Sequence, residues 1–183
     1  MLAVGANSTA IMAALPSMRT ELVLSSAGVE WAINAYLVVS AAFIVLGGQA
    51  ADRFGARLAS MVGLALFGVA SCIIAAAGTQ AALLAGRALQ GLAAALAVPS
   101  TLAAVDASAT PQRRATAIGA WTGFLMLGFS IGPLLGGALT HLTGWRAIFW
   151  FNVVLMLAAI AGLASAGSAR ASGRESRRAE EDP

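Results

Sequence analysis

Six long apolar stretches divide the chain, and each is bounded by charged or turn-forming residues. They run through residues 2–15, 32–51, 58–78, 81–105, 116–139 and 147–166. An α-helix of about 20 apolar residues is long enough to cross a bilayer. The stretches lack the alternating polarity of a membrane β-barrel, the other fold that satisfies its backbone hydrogen bonds in lipid. We therefore predict an all-α integral membrane protein with a six-transmembrane-helix bundle over residues 1–166.

Composition and charge distribution argue against a soluble protein and against a nucleic acid partner. Of the 183 residues, 59% are hydrophobic and 10% are charged, too few charges to cover a soluble surface. All eleven basic residues are arginines, and eight lie in alternate loops or the C-terminal segment: Arg53, Arg57, Arg113, Arg114, Arg170, Arg174, Arg177 and Arg178. Basic residues beside spans stay on the cytoplasmic side. We therefore predict a multi-pass plasma membrane protein with cytoplasmic N- and C-termini.

The two ends of the chain differ from the middle. The first apolar stretch is short for a bilayer and lacks the basic residues that open a signal peptide, so we predict a transmembrane helix truncated at its cytoplasmic end. Pro16 is expected to mark the outer end of this span. Beyond residue 166 the composition changes to Ser, Gly, Arg, Glu and Asp. Residues 167–183 are therefore predicted to form a disordered cytoplasmic tail.

Five polar side chains within the spans are candidates for a proton or substrate pathway: Asn7, Thr9, Asn34, Arg87 and Gln90. Polar groups at membrane depth usually face a bundle interior or a water-filled cavity. Arg87 lies about six residues, roughly 9 Å, past the outer end of the fourth span, and Gln90 follows one turn later on the same face. The alternatives are helix–helix hydrogen bonding for the first span and snorkelling to the outer surface for Arg87.

A charged turn, residues 47–57, separates the second and third spans. Its charges, on Asp52, Arg53 and Arg57, fall within six residues. Gly55 suits a helix end that needs a left-handed backbone. Asp52 is expected to accept hydrogen bonds from exposed backbone amides.

The fifth span is rich in glycine. Gly128, Gly132 and Gly136 are four residues apart and form one stripe, which allows close helix approach. Pro133 removes the helix bond to Phe129 and is expected to kink the span. Residues 128–132 also match the G-x-S-x-G pattern of serine hydrolases. That pattern requires a preceding strand, however, and the histidine at 141 lies about 16 Å further along the helix axis, so we reject an enzyme.

Several motifs resemble those of major facilitator superfamily transporters. Gly48-x-x-x-Asp52-Arg53-x-Gly55-x-Arg57 resembles the signature between helices two and three. Leu83-x-x-x-Arg87-x-x-Gln90-Gly91 resembles the fourth-helix motif, and Gly128-x-x-x-Gly132-Pro133-x-x-Gly136-Gly137 the fifth-helix antiporter motif. Asn7 to Pro16 is similar to the first-helix motif of drug:proton antiporters, and Gly144-Trp145-Arg146 to Asn152 adds likeness to the fourteen-helix subfamily. The likeness covers residues 1 to about 166, the N-terminal half of such a transporter.

The resemblance implies proton-coupled efflux of small amphipathic compounds or drugs. It implies that Arg87 takes part in proton coupling, that the Gly/Pro stripe of helix five limits leak, and that the charged turn latches two bundles together. The partners would be the lipid bilayer, a small-molecule substrate, protons, and a missing C-terminal bundle or a second copy, with no cofactor or metal. The alternatives are a truncated, non-transporting membrane fragment and a half-transporter acting as a homodimer.

Three residues depart from the family's motifs. Asn7 stands where the family has an acid, and an amide cannot carry a proton. Ala50 and Ala56 replace the usual leucine and basic residue of the charged turn. Direction and coupling ion therefore stay open, and so does the substrate.

Overall fold

The protein is a bundle of α-helices. The computed structural model describes the backbone of residues 1–181 and the side chains of residues 1–165. Within this part of the chain the helices are α1 (Leu2–Glu21), α2 (Ser26–Phe54), α3 (Ala56–Ala75), α4 (Gln80–Ser108), α5 (Arg114–Thr143) and α6 (Arg146–Glu181). The predicted all-α six-helix bundle is confirmed.

Five of these helices, α2 to α6, are long and apolar enough to cross a membrane, with α6 counted over Arg146–Ser165. The first helix, α1, is not among them because polar residues interrupt it and charges end it. It is largely covered by its neighbours, and Ala14 and Met18 are fully buried. The protein is therefore a multi-pass membrane protein in which α1 is shielded by the other helices.

Neighbours in space are often not neighbours in sequence. The most extensive helix–helix contacts are those of α2 with α4, α1 with α5, and α3 with α4. The last helix, α6, packs mainly on α3. Because consecutive helices alternate in direction, the bundle has two ends. We call the end with the α2–α3 and α4–α5 connections the Gly55 end, and the other the Trp145 end. One apolar cluster around Met18 and Phe149 lies towards the Trp145 end, and a second around Phe67 and Ala94 lies in the other half.

The outer end predicted for the first span at Pro16 is wrong. Pro16 lies inside α1, which continues to Glu21. The residue before a proline is only biased against helical geometry. Burial of Ala14 and Met18 on either side of Pro16 keeps the helix in place, so packing overrides the local preference.

Other helix ends also differ from the sequence prediction. The connection between α1 and α2 is only residues 22–25, and Ser25 caps α2 by accepting a 3.0 Å hydrogen bond from the Gly28 amide. Thr110-Pro111 is typical of a helix start. Residues 111–113 nevertheless form a turn closed by a 2.9 Å bond from the Arg113 amide to the Thr110 carbonyl, and α5 begins at Arg114. The connection between α3 and α4 is only residues 76–79, and the two helices pack side by side.

The predicted boundary at residue 166 and the disordered tail stay predictions. The side chains from residue 166 onward lie outside the described part of the chain, as does the backbone of residues 182–183.

Candidate functional site: a buried polar cluster around Arg87

Arg87 is fully buried in the middle of the bundle. Its Nε donates a 2.8 Å hydrogen bond to the Ala32 carbonyl of α2, and an Nη1 hydrogen is donated to Gln90 Oε1 at 2.6 Å. Its guanidinium lies 4.6 Å from the centre of the Tyr36 ring, a cation–π distance. Arg87 therefore does not snorkel to the surface.

Gln90 connects Arg87 to two further helices. Its Oε1 also accepts a 3.4 Å hydrogen bond from Asn7 Nδ2 of α1, and its Nε2 donates to Ser71 Oγ of α3 at 2.8 Å. Asn7 in turn accepts a 2.7 Å hydrogen bond from Asn152 Nδ2 of α6. We call these residues the Arg87 cluster: Asn7, Tyr36, Ser71, Arg87, Gln90 and Asn152. A polar network thus joins α1, α2, α3, α4 and α6 at one depth.

The cluster holds a positive charge without a carboxylate. Among the described residues the acids lie towards the ends of the bundle, at Glu21, Glu30, Asp52 and Asp106. The Arg87 charge is met only by dipoles and by the Tyr36 ring, and its Nη2 has no hydrogen-bond partner in the described chain. A buried cation of this kind favours a nearby anion, because desolvation without a counter-charge is costly.

A cavity of about 10 Å³ lies against Asn7 and Asn152. This is close to the minimum volume for one water molecule, which needs two or more polar partners. Apart from these two residues, however, the lining side chains are apolar, including Ala10, Leu135 and Phe151. The cluster therefore provides hydrogen-bond donors and acceptors and one fixed positive charge. Its described residues include no carboxylate that could carry a proton.

Two predicted pathway residues lie outside this cluster. Thr9 is on another face of α1 and donates to the Phe129 carbonyl of α5 at 3.0 Å. Asn34 is exposed on α2 and makes no hydrogen bond in the described chain. Tyr36, Ser71 and Asn152 belong to the cluster but were not among the predicted site residues. In the sequence, the only indication of their role is that each is a polar residue inside an apolar span.

The charged turn is more helical than predicted. Gly55, with φ of 89°, is the single residue between α2 and α3, while Gly48 lies within α2. Asp52 and Arg53 are exposed, and in the described chain Asp52 accepts no hydrogen bond, so the expected amide bonds are absent. Arg57 donates to the carbonyls of Leu163 and Ala164 in α6, at 3.0 and 3.1 Å. One arginine of the turn thus binds its own bundle.

The glycine stripe of α5 faces α1. A Cβ on Gly128, Gly132 or Gly136 would lie well under 3.0 Å from α1 atoms, the nearest being Leu2 O, Thr9 Oγ1 and Ala10 O respectively. By contrast, a Cβ on Gly137 would have ordinary contact, 3.9 Å from Ala13 Cβ. Pro133 lies within the continuous helix α5 beside the stripe.

At the Trp145 end, Glu21 joins α1 to the start of α6. It accepts a 2.6 Å hydrogen bond from Trp145 Nε1 and forms an ion pair with Arg146, which also donates to the Ala77 carbonyl at 2.9 Å. The hydrogen bonds from Arg146 and then Trp145 lower the pKa of the Glu21 carboxyl below its usual 4.5. Trp145 is buried, whereas Trp150 is 52% exposed.

A cavity of about 720 Å³ opens at the Gly55 end. Its lining includes Arg57 of α3, Thr101 of α4, Trp121 of α5 and Leu163 of α6. Trp121 Nε1 donates to Thr101 Oγ1 at 3.2 Å. Side chains of the Arg87 cluster do not line this cavity, so the polar centre and the open space are separate features.

Comparison with known proteins shows the family. The sequence model of the Major Facilitator Superfamily matches residues 1–182. The chain is 39% identical to the methylenomycin A resistance protein of Bacillus subtilis over 153 residues, 83% of this chain and 33% of that protein. It is 39% identical to the tetracenomycin C resistance and export protein of Streptomyces glaucescens over 169 residues, 92% of this chain and 31% of that protein.

A third relative, the cephamycin export protein of Amycolatopsis lactamdurans, is 36% identical over 159 residues, 84% of this chain and 33% of that protein. The chain thus spans about a third of the length of these relatives. Its six helices agree with the N-terminal half of a transporter expected from the motifs. On the family match and the identities together, the chain belongs to the Major Facilitator Superfamily.

Proposed function

We propose that this chain is part of a plasma membrane transporter that exports small amphipathic compounds in exchange for protons. The Arg87 cluster carries this proposal, because a fully buried cation within a polar network that joins five helices has a structural cost that a functional site would justify. The names of the relatives, which include resistance and export proteins, support drug or antibiotic efflux. Export of this kind would require the protein, the lipid bilayer, the substrate and protons, without a cofactor or an enzymatic step.

Arg87 and Gln90 are the central residues of the proposed mechanism. With Asn7 in place of an acid, the proton carrier would be a carboxylate outside the Arg87 cluster, in the substrate or in the polypeptide that completes the transporter. Arg87 would favour the ionised form of that carboxylate through its charge and its free Nη2 hydrogens. Proton binding would then weaken the contact with Arg87 and allow the helices to rearrange.

Substrate-driven proton flux in vesicles tests this role. The complete transporter polypeptide is reconstituted, and a pH-sensitive dye records proton movement on addition of methylenomycin A or tetracenomycin C, the compounds named in two relatives. Arg87→Ala should abolish substrate-dependent flux. Arg19→Ala, which removes an exposed arginine from the last turn of α1, should retain it. Undiminished flux in Arg87→Ala would overturn the assignment.

We also propose that the Gly55 end is cytoplasmic and that both chain termini lie on that side. The arginines at this end support the orientation. Asp52 and Arg53, exposed there, are the better candidates for a latch to a second bundle, because Arg57 is bonded to α6. Arg53→Cys, in a Cys72→Ser background, should not be labelled by a membrane-impermeant thiol reagent applied to intact cells. Labelling there would reverse the orientation.

A homodimeric half-transporter is a second candidate, favoured by the apolar faces of α2 and α5. Val45 of α2 and Leu134 of α5 are 67% and 76% exposed. Lipid, a C-terminal bundle or a second copy could cover such faces. Crosslinking in native membranes separates these possibilities, because a dimer of this chain would support the half-transporter. A strict monomer without substrate-dependent proton flux would instead favour the non-transporting membrane fragment.

A further inference from the structure

Pro133 leaves one backbone carbonyl of α5 without its helical partner. A proline has no amide hydrogen, so residue 133 cannot donate to the carbonyl of Phe129, four residues earlier. A carbonyl at membrane depth requires another donor, because lipid offers none. The structure identifies that donor.

Thr9 of α1 supplies the missing hydrogen bond. Its Oγ1 lies 3.0 Å from Phe129 O and 3.4 Å from Ala6 O in its own helix. A hydroxyl has one hydrogen, and the shorter contact is the one to Phe129. A Cβ on Gly132 would collide with this hydroxyl, so the glycine beside Pro133 provides the room that the bond needs.

The close contact of α4 with α2 also involves a helix proline but shows a different solution. In α4, Pro99 frees the carbonyl of Ala95, and this oxygen lies against Gly47 of α2, where a Cβ would come well under 3.0 Å. No side-chain hydroxyl among the described residues donates to Ala95 O. The hydroxyl at Thr9 is therefore a specific property of the α1–α5 contact.

We propose that Thr9 is the positioning residue of the helix-five motif: its hydroxyl binds the carbonyl that Pro133 frees and fixes the register of α5 against α1. Asn7, two residues away on α1, belongs to the Arg87 cluster. The same helix therefore ties the Pro133 region to the buried charge. The consequence for transport rests on the proposed function, whereas the hydrogen bond itself does not.

The Phe129 carbonyl can be observed alone. Phe129-Ser130 is the only Phe-Ser pair in the sequence. A chain made with carbonyl-¹³C phenylalanine and ¹⁵N serine therefore gives a single carbonyl–amide correlation in micelles. Thr9→Val, which keeps the shape and removes the donor, should move this ¹³C resonance upfield. Thr9→Ser should leave it in place, and so should Thr20→Val, which removes a hydroxyl bonded only within α1.

A double-mutant cycle gives the second readout. Pro133→Ala restores an amide donor to Phe129 O, so Thr9 is no longer needed there. Thr9→Val should lower the folded-to-unfolded ratio roughly five-fold, the size of one net hydrogen bond, in the natural background but not beside Pro133→Ala. In the complete transporter the maximal rate should follow the same pattern, with an unchanged KM.

An unmoved Phe129 carbonyl resonance in Thr9→Val would overturn the proposal. So would an equal loss of stability from Thr9→Val in the natural background and beside Pro133→Ala. Failure of the proposed transport function is distinguishable from either result. In that case neither the natural chain nor Arg87→Ala supports substrate-dependent flux, while the resonance and the stability cycle still report on Thr9.

Discussion

Replacing Gln90 by methionine should destabilise the bundle strongly, because this side chain is the node of the buried network. Gln90 is fully buried, accepts from Arg87 Nη1 at 2.6 Å and donates to Ser71 Oγ at 2.8 Å. Methionine has a similar length and no hydrogen-bonding amide. The substitution therefore leaves the packing nearly unchanged and removes the acceptor of a buried charge.

The expected loss follows from the partners left behind. A hydrogen bond to a charged group contributes about 1.5–3 kcal/mol, and an unsatisfied buried partner adds to its loss. Ser71 keeps its 2.8 Å bond to Phe67 O, and Asn7 keeps its bond to Asn152, so these residues add little. We expect Gln90→Met to lower the free energy of unfolding by about 3 kcal/mol.

Denaturant unfolding in micelles, followed by helical circular dichroism, measures this difference. Ser60→Ala is the matched control, because Ser60 is also fully buried but its hydroxyl bonds only to Ala56 O of its own helix, at 2.7 Å. The control should change stability by less than about 0.5 kcal/mol. Gln90→Glu should retain most of the stability, since it keeps an acceptor for Arg87. A loss under about 1 kcal/mol in Gln90→Met would refute the view that Gln90 solvates the buried charge.

Two further predictions concern the helix contacts. Gly136→Ala should lower the free energy of unfolding by about 1–3 kcal/mol in the same assay, because its Cβ would collide with Ala10 O. The control Gly123→Ala, whose Cβ would have no atom within 4 Å, should be neutral or stabilising. Equal effects of the two substitutions would contradict the close contact at Gly136. Glu21→Gln should be less stable than the natural chain at neutral pH. Since the folded pKa of Glu21 is lowered, its contribution is present above pH 4.5 and is lost as the pH falls through that folded pKa. A stability difference independent of pH would exclude the ion pair with Arg146 as its source.

Helix number and class could be predicted from the sequence because bilayer thickness sets the length of an apolar span. Helix ends could not, since they depend on packing and capping that appear only in the folded bundle. Pro16 is held inside α1 by buried residues on both sides, and α5 begins at Arg114 instead of Thr110. Tryptophans beside spans commonly lie at the lipid interface, but Trp145 lies in the core, where its indole donates a hydrogen bond to Glu21, 124 residues earlier.

Part of the candidate site could also be predicted. Arg87 and Gln90 share one helix face, and helical spacing alone places them together. The partnership of Asn7 with Asn152 spans 145 residues and depends on which helices are neighbours, which the apolar pattern does not encode. Asn34 illustrates the converse, because it is polar and within a span but exposed and outside the network.

The contact between α1 and α5 has a consequence for biogenesis. Thr9 and its partner Phe129 are 120 residues apart, so at about 5–20 residues per second a ribosome needs roughly 6 to 24 s to make the second after the first. During that interval Thr9 lacks its acceptor in α5, and Asn7 gains its α6 partner Asn152 only later still. The translocon or lipid headgroups would therefore shelter these polar groups until α5 and α6 are made, so α1 completes its contacts only after the later helices of the bundle have been synthesised.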